Sequence, residues 1–125
     1  MNHDEMLELG RRVIAALNMR DWAALARHMD TDRVEDMRSS PFLAAFPDVQ
    51  IQIEAQFADS DHVITRWTNI GTHTGEFLGI APTHRPVRYT GITIDQVVDG
   101  KVVDTWVESD MLGLFQQLGR REDVG

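Results

Sequence analysis

Residues 86–109, PVRYTGITIDQVVDGKVVDTWVES, decide the fold of this chain. The dipeptide Asp99-Gly100 is a strong signal for a two-residue hairpin turn, and both flanking stretches are rich in β-branched residues. These features predict two long antiparallel strands joined by a tight turn. Alternating apolar and polar residues at 49–54 and 62–70 predict two further strands before them.

The last of these strands predicts an acidic face. Because alternate side chains of an extended chain share a face, Asp104, Trp106, Glu108 and Asp110 should point the same way. Three carboxylates around an indole form an acid/base constellation if this face lines a pocket. If the face points to water, they are ordinary solvated strand charges.

The first half of the chain has a helical period. Apolar residues recur at three- and four-residue spacings over 6–17, and Asp21 suits the N-cap of a second helix. Residues 30–40 are polar and predict a loop or a weak helical turn, and Pro41 suits the start of a short helix. Helices followed by a strand meander predict the α+β class, with an antiparallel sheet packed against N-terminal helices.

Composition limits the possible functions. The 125 residues fit a single domain over 1–125, with a core at about 4–119. A net charge of −8 argues against nucleic acid and anionic membranes as partners, and the absence of cysteine excludes disulfides and thiolate chemistry. The N-terminus has no apolar signal core, so a cytoplasmic location is expected.

Several short motifs occur together in a specific order. They cover roughly 4–119 and are Phe46-Pro47-Asp48, Arg66-Trp67-Thr68, the run 71–80, Pro82-Thr83, Thr90-Gly91, Asp99-Gly100-Lys101, Trp106 and Gln117-Leu118-Gly119. With these motifs the chain resembles the SnoaL-like polyketide cyclase family of the nuclear transport factor 2-like superfamily. The resemblance implies a curved, cone-shaped antiparallel sheet closed by the N-terminal helices. It also implies an apolar cavity and a homodimer.

The resemblance further implies an activity. Family members close a ring on a polyketide ester by an intramolecular aldol step, without a metal or cofactor. The general acid/base of the prototype falls here on Asp110, which Glu108 would assist, and the position of its histidine partner falls near Gln96. Alternatively, Asp110 is the N-cap of a helix over 111–118.

Aromatic residues are candidates for binding a hydrophobic small molecule. Trp106 and Trp67 could stack on a planar ring or pack in the core. Tyr89 and Asp95 share one face of the long strand, where Tyr89 could donate a hydrogen bond to a developing enolate or belong to a dimer face. His73 could donate to a substrate carbonyl or, bonded to backbone, hold a turn.

Alternative functions remain open. No histidine pair has ligand spacing, so no metal site is expected. An epoxide-opening or ether-ring-forming enzyme would need an Asp-Arg-Asp set, for which Arg66 or Arg88 is available. A non-catalytic, dimeric small-molecule-binding module is the other alternative. Enclosure of Asp110 and Glu108 in a cavity favours an enzyme, and exposure of both favours a binding module.

Overall fold

The computed structural model describes residues 1–119, which form five helices and one antiparallel sheet of four strands. The helices are α1 (His3–Met19), α2 (Trp22–Leu25), α3 (Thr31–Arg38), α4 (Pro41–Ala45) and α5 (Met111–Gln117). The strands are β1 (Gln50–Ala58), β2 (His62–Thr72), β3 (Pro86–Val98) and β4 (Lys101–Ser109), paired in the order β1-β2-β3-β4. No helix in this range is both long and apolar enough to span a membrane.

The first helix is fixed at both ends. Asn2 and Glu5 form a capping box, in which each side chain accepts a hydrogen bond from the other residue's backbone N–H at 2.8 Å. The helix ends where Arg20 adopts a left-handed conformation with φ of 55°. The Arg20 guanidinium donates to the carbonyls of Pro47 and Val49, which ties α1 to the start of the sheet.

The hairpin between β3 and β4 has the predicted turn. Asp99 and Gly100 both have positive φ, 51° and 78°, as a turn of this hand requires. The register places Asp95 opposite Thr105, on the face of the sheet that looks toward the helices. The prediction of two long strands joined at this turn is confirmed.

Residues 30–40 differ from the sequence expectation, because most of them form helix α3. Only two side chains of α3 contribute to the hydrophobic core: Val34 is buried and Met37 packs against the core. Most of the remaining side chains are polar or charged. The helix is also held by an ion pair between Arg33 and Asp104 of β4. Such a tertiary contact leaves no periodic signal in the sequence.

Two groups of buried residues form the core. The helical cluster packs α1, α2 and α3 on one end of the sheet and comprises Met6, Leu9, Val13, Ala16, Leu25, Met29, Val34, Val63, Val97 and Val102. The aromatic cluster packs α4 and α5 on the other end and comprises Ala45, Phe46, Val49, Trp67, Phe77, Val87, Tyr89, Leu114 and Leu118. The predicted α+β fold, with a curved sheet against N-terminal helices, is confirmed.

Candidate functional site

A cavity of about 360 Å³ lies between the helices and the inner face of the sheet, where both core clusters contribute to its wall. This volume lies in the range of small-molecule sites. The apolar wall is formed by Val13, Ile14, Leu17, Met29, Met37, Phe42, Ile51, Val107 and Met111. Polar groups reach the cavity from Ser40, Asn69, Tyr89, Thr93, Asp95, Thr105 and Ser109.

Asp95 is the carboxylate in this cavity wall. It is 7% exposed, and its Oδ1 accepts a hydrogen bond from Thr105 Oγ1 at 2.9 Å. Burial raises the pKa of Asp95 to about 6, against the opposing effects of the Thr105 hydrogen bond and the charge of Arg33. A carboxyl group with this pKa can take up and release protons near neutral pH, as general acid/base chemistry requires.

The indole of Trp67, which belongs to β2, lines the cavity next to strand β3, which carries Asp95. Its Nε1 donates to Thr93 Oγ1 at 2.7 Å, so the hydroxyl proton of Thr93 is left for another acceptor. The ring lies directly over Gly91, where a Cβ atom would overlap it. Gly91 therefore sets how far the indole projects into the cavity.

Replacing Gly91 by alanine should push Trp67 into the cavity and destabilise the fold by about 1–3 kcal/mol, as overpacking does. Urea denaturation measures the change. Thr90→Ala, on the exposed side of the same strand, is the control and should stay within about 0.5 kcal/mol. Equal stability of Gly91→Ala and the parent protein would contradict the assigned packing of the indole.

Asn69 and Tyr89 form a second polar group in the cavity wall. Asn69 Nδ2 donates to Tyr89 Oη at 3.0 Å, and both residues are buried. Burial raises the pKa of Tyr89 to about 12, although the Asn69 hydrogen bond opposes this, so the phenol stays protonated at neutral pH. Within residues 1–119, Asn69 Oδ1 is buried without a hydrogen-bond partner.

Comparison with known proteins identifies the family. A family model described as SnoaL-like polyketide cyclase matches residues 8–118. The chain belongs to this family. A search of curated protein sequences gave no match.

Solved structures agree with this assignment. The chain is similar to AclR, a candidate hydroxylase from Streptomyces galilaeus, at 31% identity over 99% of this chain and 87% of AclR, with a TM-score of 0.83. It is similar to IdmH, a candidate polyketide cyclase from Streptomyces antibioticus, at 25% identity over 90% and 96%, with a TM-score of 0.78. TsrD from Streptomyces laurentii shares the fold, at 24% identity over 97% and 99% with a TM-score of 0.84.

In this SnoaL-like protein Asp110 is not part of the cavity wall. It is exposed and is the N-cap of α5, where its Oδ1 accepts from the backbone N–H of Gly113 at 2.8 Å. Strand β4 ends at Ser109, so the alternation that predicted the direction of Asp110 stops one residue before it. Of the two alternatives that the sequence left open for Asp110, the structure shows the exposed helix N-cap, and a catalytic role for Asp110 stays a prediction.

The acidic face of β4 points away from the helices, which is the solvated alternative that the sequence left open. Glu108 pairs with Ile92 and Trp106 with Ile94, all on the outer face of the sheet, and the Trp106 side chain is 51% exposed. The cavity is lined instead by the intervening side chains of Thr105, Val107 and Ser109. Alternation was predicted correctly, but it does not say which face meets the helices. A catalytic role for Glu108 stays a prediction.

Trp67 and Tyr89 line the cavity, which is one of the two alternatives stated for each, whereas two other candidate binding residues lie elsewhere. His73 is fully buried against Phe46, and its Nδ1 accepts from the backbone N–H of Thr83 at 3.1 Å. This arrangement matches the alternative of a histidine that holds a turn.

Gln96 follows Asp95 in β3 and pairs with Asp104, so it points away from the cavity. The arginines considered for an Asp-Arg-Asp set, Arg66 and Arg88, are exposed. Neither Arg66 nor Arg88 therefore completes an Asp-Arg-Asp set in the cavity wall that the structure describes.

One cluster of possible metal ligands lies far from the cavity, in the turn between β1 and β2. Ligand atoms of Asp59, Asp61 and His62 lie within 4.8 Å of one another. The Asp59 carboxylate already accepts hydrogen bonds from the backbone N–H groups of Asp61 and His62, which shape the turn. The cluster therefore has a structural explanation.

Sequence reasoning did not single out Asn69, Thr93 or Thr105 as site residues. Each lies on the inner face beside Asp95 or Tyr89, at positions fixed by strand pairing. A usable signal was present: Asp95 is an acidic residue within a strand whose same-face neighbours are Thr93 and Tyr89. A charged residue on the inner face of a strand is uncommon unless it is partnered or functional.

Proposed function

We propose that this SnoaL-like protein is a cofactor-independent acid/base enzyme that acts on a hydrophobic, polyketide-like carbonyl compound, with Asp95 as the proton-transfer group. The observation that carries the proposal is the enclosure of Asp95 in an apolar cavity that could hold a small molecule. Enclosure shifts the pKa of Asp95 toward the working pH and limits water at the reacting carbon.

The chemistry is an intramolecular aldol reaction. At neutral pH Asp95 is mainly deprotonated and accepts a proton from the carbon next to a carbonyl, whose C–H electron pair moves to the carbonyl oxygen as an enolate. The enolate carbon then bonds to a second carbonyl carbon of the same molecule, and Asp95 returns its proton to the resulting alkoxide. Thr105 holds the carboxylate in one orientation.

Thr93 is placed to stabilise the enolate. It lies two residues from Asp95 on the same face of β3, about 7 Å along the strand. Because its oxygen already accepts from Trp67, its own proton is available for the developing negative charge. The similarity to IdmH, a candidate polyketide cyclase, supports such chemistry, because an intramolecular aldol reaction closes a ring.

Deuterium exchange tests the proposal without knowledge of the natural substrate. The protein is incubated with 2-acetylnaphthalene in D₂O at pD 7.5, and loss of the acetyl proton signal is followed by NMR. We expect exchange well above that caused by an equal concentration of acetate buffer. Exchange no faster than in buffer, at saturating probe, would contradict the proposed acid/base function.

A second candidate is a non-catalytic small-molecule-binding module. It is favoured by the exposure of Asp110 and Glu108, the two carboxylates on which the sequence-based enzyme hypothesis depended. It predicts saturable binding of 2-acetylnaphthalene, seen as quenching of tryptophan fluorescence that is lost in a Trp67→Phe variant, without any proton exchange. The same pair of measurements therefore separates the two candidates.

We also propose that the protein is a homodimer through the outer face of the sheet. This face exposes large apolar side chains, and Ile92, Ile94, Trp106 and Phe57 are between 37% and 61% exposed. Apolar side chains grouped on one sheet face are typical of an interaction surface. The resemblance of the chain to its family points to the same arrangement.

Replacing Ile92 by aspartate should convert the dimer to a monomer, because a carboxylate would be buried at the centre of the contact. Sedimentation velocity measures the mass. Met19→Asp, at an exposed site where α1 ends, is the matched control and should remain dimeric. A dimer that persists in Ile92→Asp would reject this face as the interface.

A further inference from the structure

The Asn69–Tyr89 pair has hydrogen-bonding capacity that the protein does not use. The two residues face each other across β2 and β3, are 8% and 5% exposed, and line the cavity. The amide nitrogen of Asn69 donates to the phenolic oxygen of Tyr89 at 3.0 Å. The amide oxygen of Asn69 and the hydroxyl proton of Tyr89 are among the groups that this bond leaves unused.

The unused acceptor is Asn69 Oδ1, which has no hydrogen-bond partner among residues 1–119. The unused donor is the hydroxyl proton of Tyr89: its oxygen accepts from Asn69, and no described residue accepts from it. A buried acceptor without a partner costs free energy, so such a group is expected to meet a partner when the site is filled. Here the acceptor and the donor lie side by side.

We propose that the Asn69–Tyr89 pair binds a ligand end that carries a hydrogen-bond donor next to an acceptor, such as a hydroxyl and a carbonyl on neighbouring carbons or an amide. Asn69 Oδ1 accepts from the ligand donor, and the Tyr89 hydroxyl donates to the ligand carbonyl. The inference rests on the proposed function only in placing a small molecule in this cavity.

The pair acts at a distance from the reacting carbon. Tyr89 and Asp95 are six residues apart in β3, which is at most about 20 Å of strand. The indole of Trp67 lies against Tyr89, with ring centroids 5.9 Å apart, and lines the space between the two polar groups. The pair therefore binds a part of the ligand that lies away from the reacting carbon and selects the ligand rather than moving a proton. A two-ring probe can occupy either end of the cavity.

Two neutral probes of nearly equal shape test the proposal. Naphthalene-2-carboxamide carries a donor and an acceptor side by side, and 2-acetylnaphthalene replaces the NH₂ group by CH₃. Dissociation constants are measured by isothermal titration calorimetry on the full chain. We expect the carboxamide to bind at least about tenfold more tightly, as expected when a buried acceptor gains its partner.

Two variants test whether the Asn69–Tyr89 pair causes the preference for the carboxamide. Asn69→Leu should bring the ratio of dissociation constants near one, and Tyr89→Phe should weaken both probes by a similar factor. Asp4→Asn, at an exposed position in the first turn of α1, is the control and should keep the parent ratio. Equal binding of both probes by the parent protein, no binding of either, or an unchanged ratio in Asn69→Leu would overturn the proposal.

Failure here can be told apart from failure of the proposed function. The binding ratio is an equilibrium quantity that needs no turnover, whereas the acid/base function is measured by deuterium exchange. Exchange with equal binding of the probes would reject the role of the pair alone. A strong carboxamide preference without exchange would support the pair in a binding module.

Discussion

Replacing Asp95 by asparagine is expected to slow deuterium exchange into 2-acetylnaphthalene by at least about 100-fold, the contribution usual for a positioned general base. Asparagine keeps the shape of the side chain and can still accept from Thr105, but it cannot take up a proton. The initial exchange rate at pD 7.5 is measured by NMR. The carboxamide preference of the binding site should persist, because the Asn69–Tyr89 pair is intact.

Two further variants distinguish Asp95 from the other carboxylates to which the proton-transfer role could be assigned. Asp110→Asn and Glu108→Gln remove the carboxylates that the sequence pointed to, and both residues are exposed. Exchange by these variants should stay within about threefold of the parent rate, because neither carboxylate lines the cavity. If Asp110→Asn abolishes exchange and Asp95→Asn does not, the sequence-based assignment is right and the structural one is wrong.

The same Asp95→Asn substitution should stabilise the protein at pH 8, by about 3 kcal/mol. The folded-state pKa of Asp95, about 6, lies above the ordinary value of 3.8, so folding disfavours the charged form. The loss of folding stability caused by the charged Asp95 is absent below pH 3.8, grows between pH 3.8 and 6, and is complete above pH 6. Asparagine is neutral at every pH, so the variant does not lose this stability.

Urea denaturation of both proteins at pH 4, 5, 6, 7 and 8 measures this effect. Asp48 acts in the opposite direction. Burial raises its pKa, but hydrogen bonds from Thr72 and from its own backbone, together with the charge of Arg20, lower the pKa below its ordinary value, so the contribution of Asp48 to stability is lost in acid. The difference between variant and parent cancels such contributions. A difference that is flat from pH 4 to 8 would mean that Asp95 titrates normally and is not desolvated.

Strands and turns could be predicted because their signals are local. The Asp99-Gly100 turn and the alternation on both sides of it gave the β3–β4 hairpin and which side chains share a face. Alternation does not say which face is inside. The bulky Trp106 suggested one face, yet the helices cover the face with the smaller Thr105 and Val107 side chains, which leaves room for the cavity.

The residue at which a strand ends is a second feature that the sequence does not determine. Asp110 fits both a continued strand and a helix N-cap, and the local sequence permits either. The structure resolves the choice because β4 ends at Ser109 and α5 begins at Met111, so the carboxylate satisfies a free backbone N–H of the helix. The point at which β4 ends therefore decides between the two positions that the sequence left open for this carboxylate, and it places the group at the surface.

The polar groups of the cavity depend on strand register. Asn69 meets Tyr89, and Asp95 meets Thr105, only because β2, β3 and β4 pair as they do. The members of these pairs are 20 and 10 residues apart in sequence, and no local motif connects them. The sequence could therefore supply Tyr89 and Asp95 as residues on one face, but not their partners.

The most direct test of Asp95 as the proton-transfer group is its pKa in the parent protein, measured by a pH titration of the side-chain carboxyl carbon with ¹³C-labelled aspartate. The Asp95→Asn variant assigns the resonance. We predict a pKa of about 6 for Asp95, as expected for a carboxyl group enclosed in an apolar cavity. A pKa near the ordinary value of about 3.9 would show a solvated carboxylate and would contradict its role as the proton-transfer group.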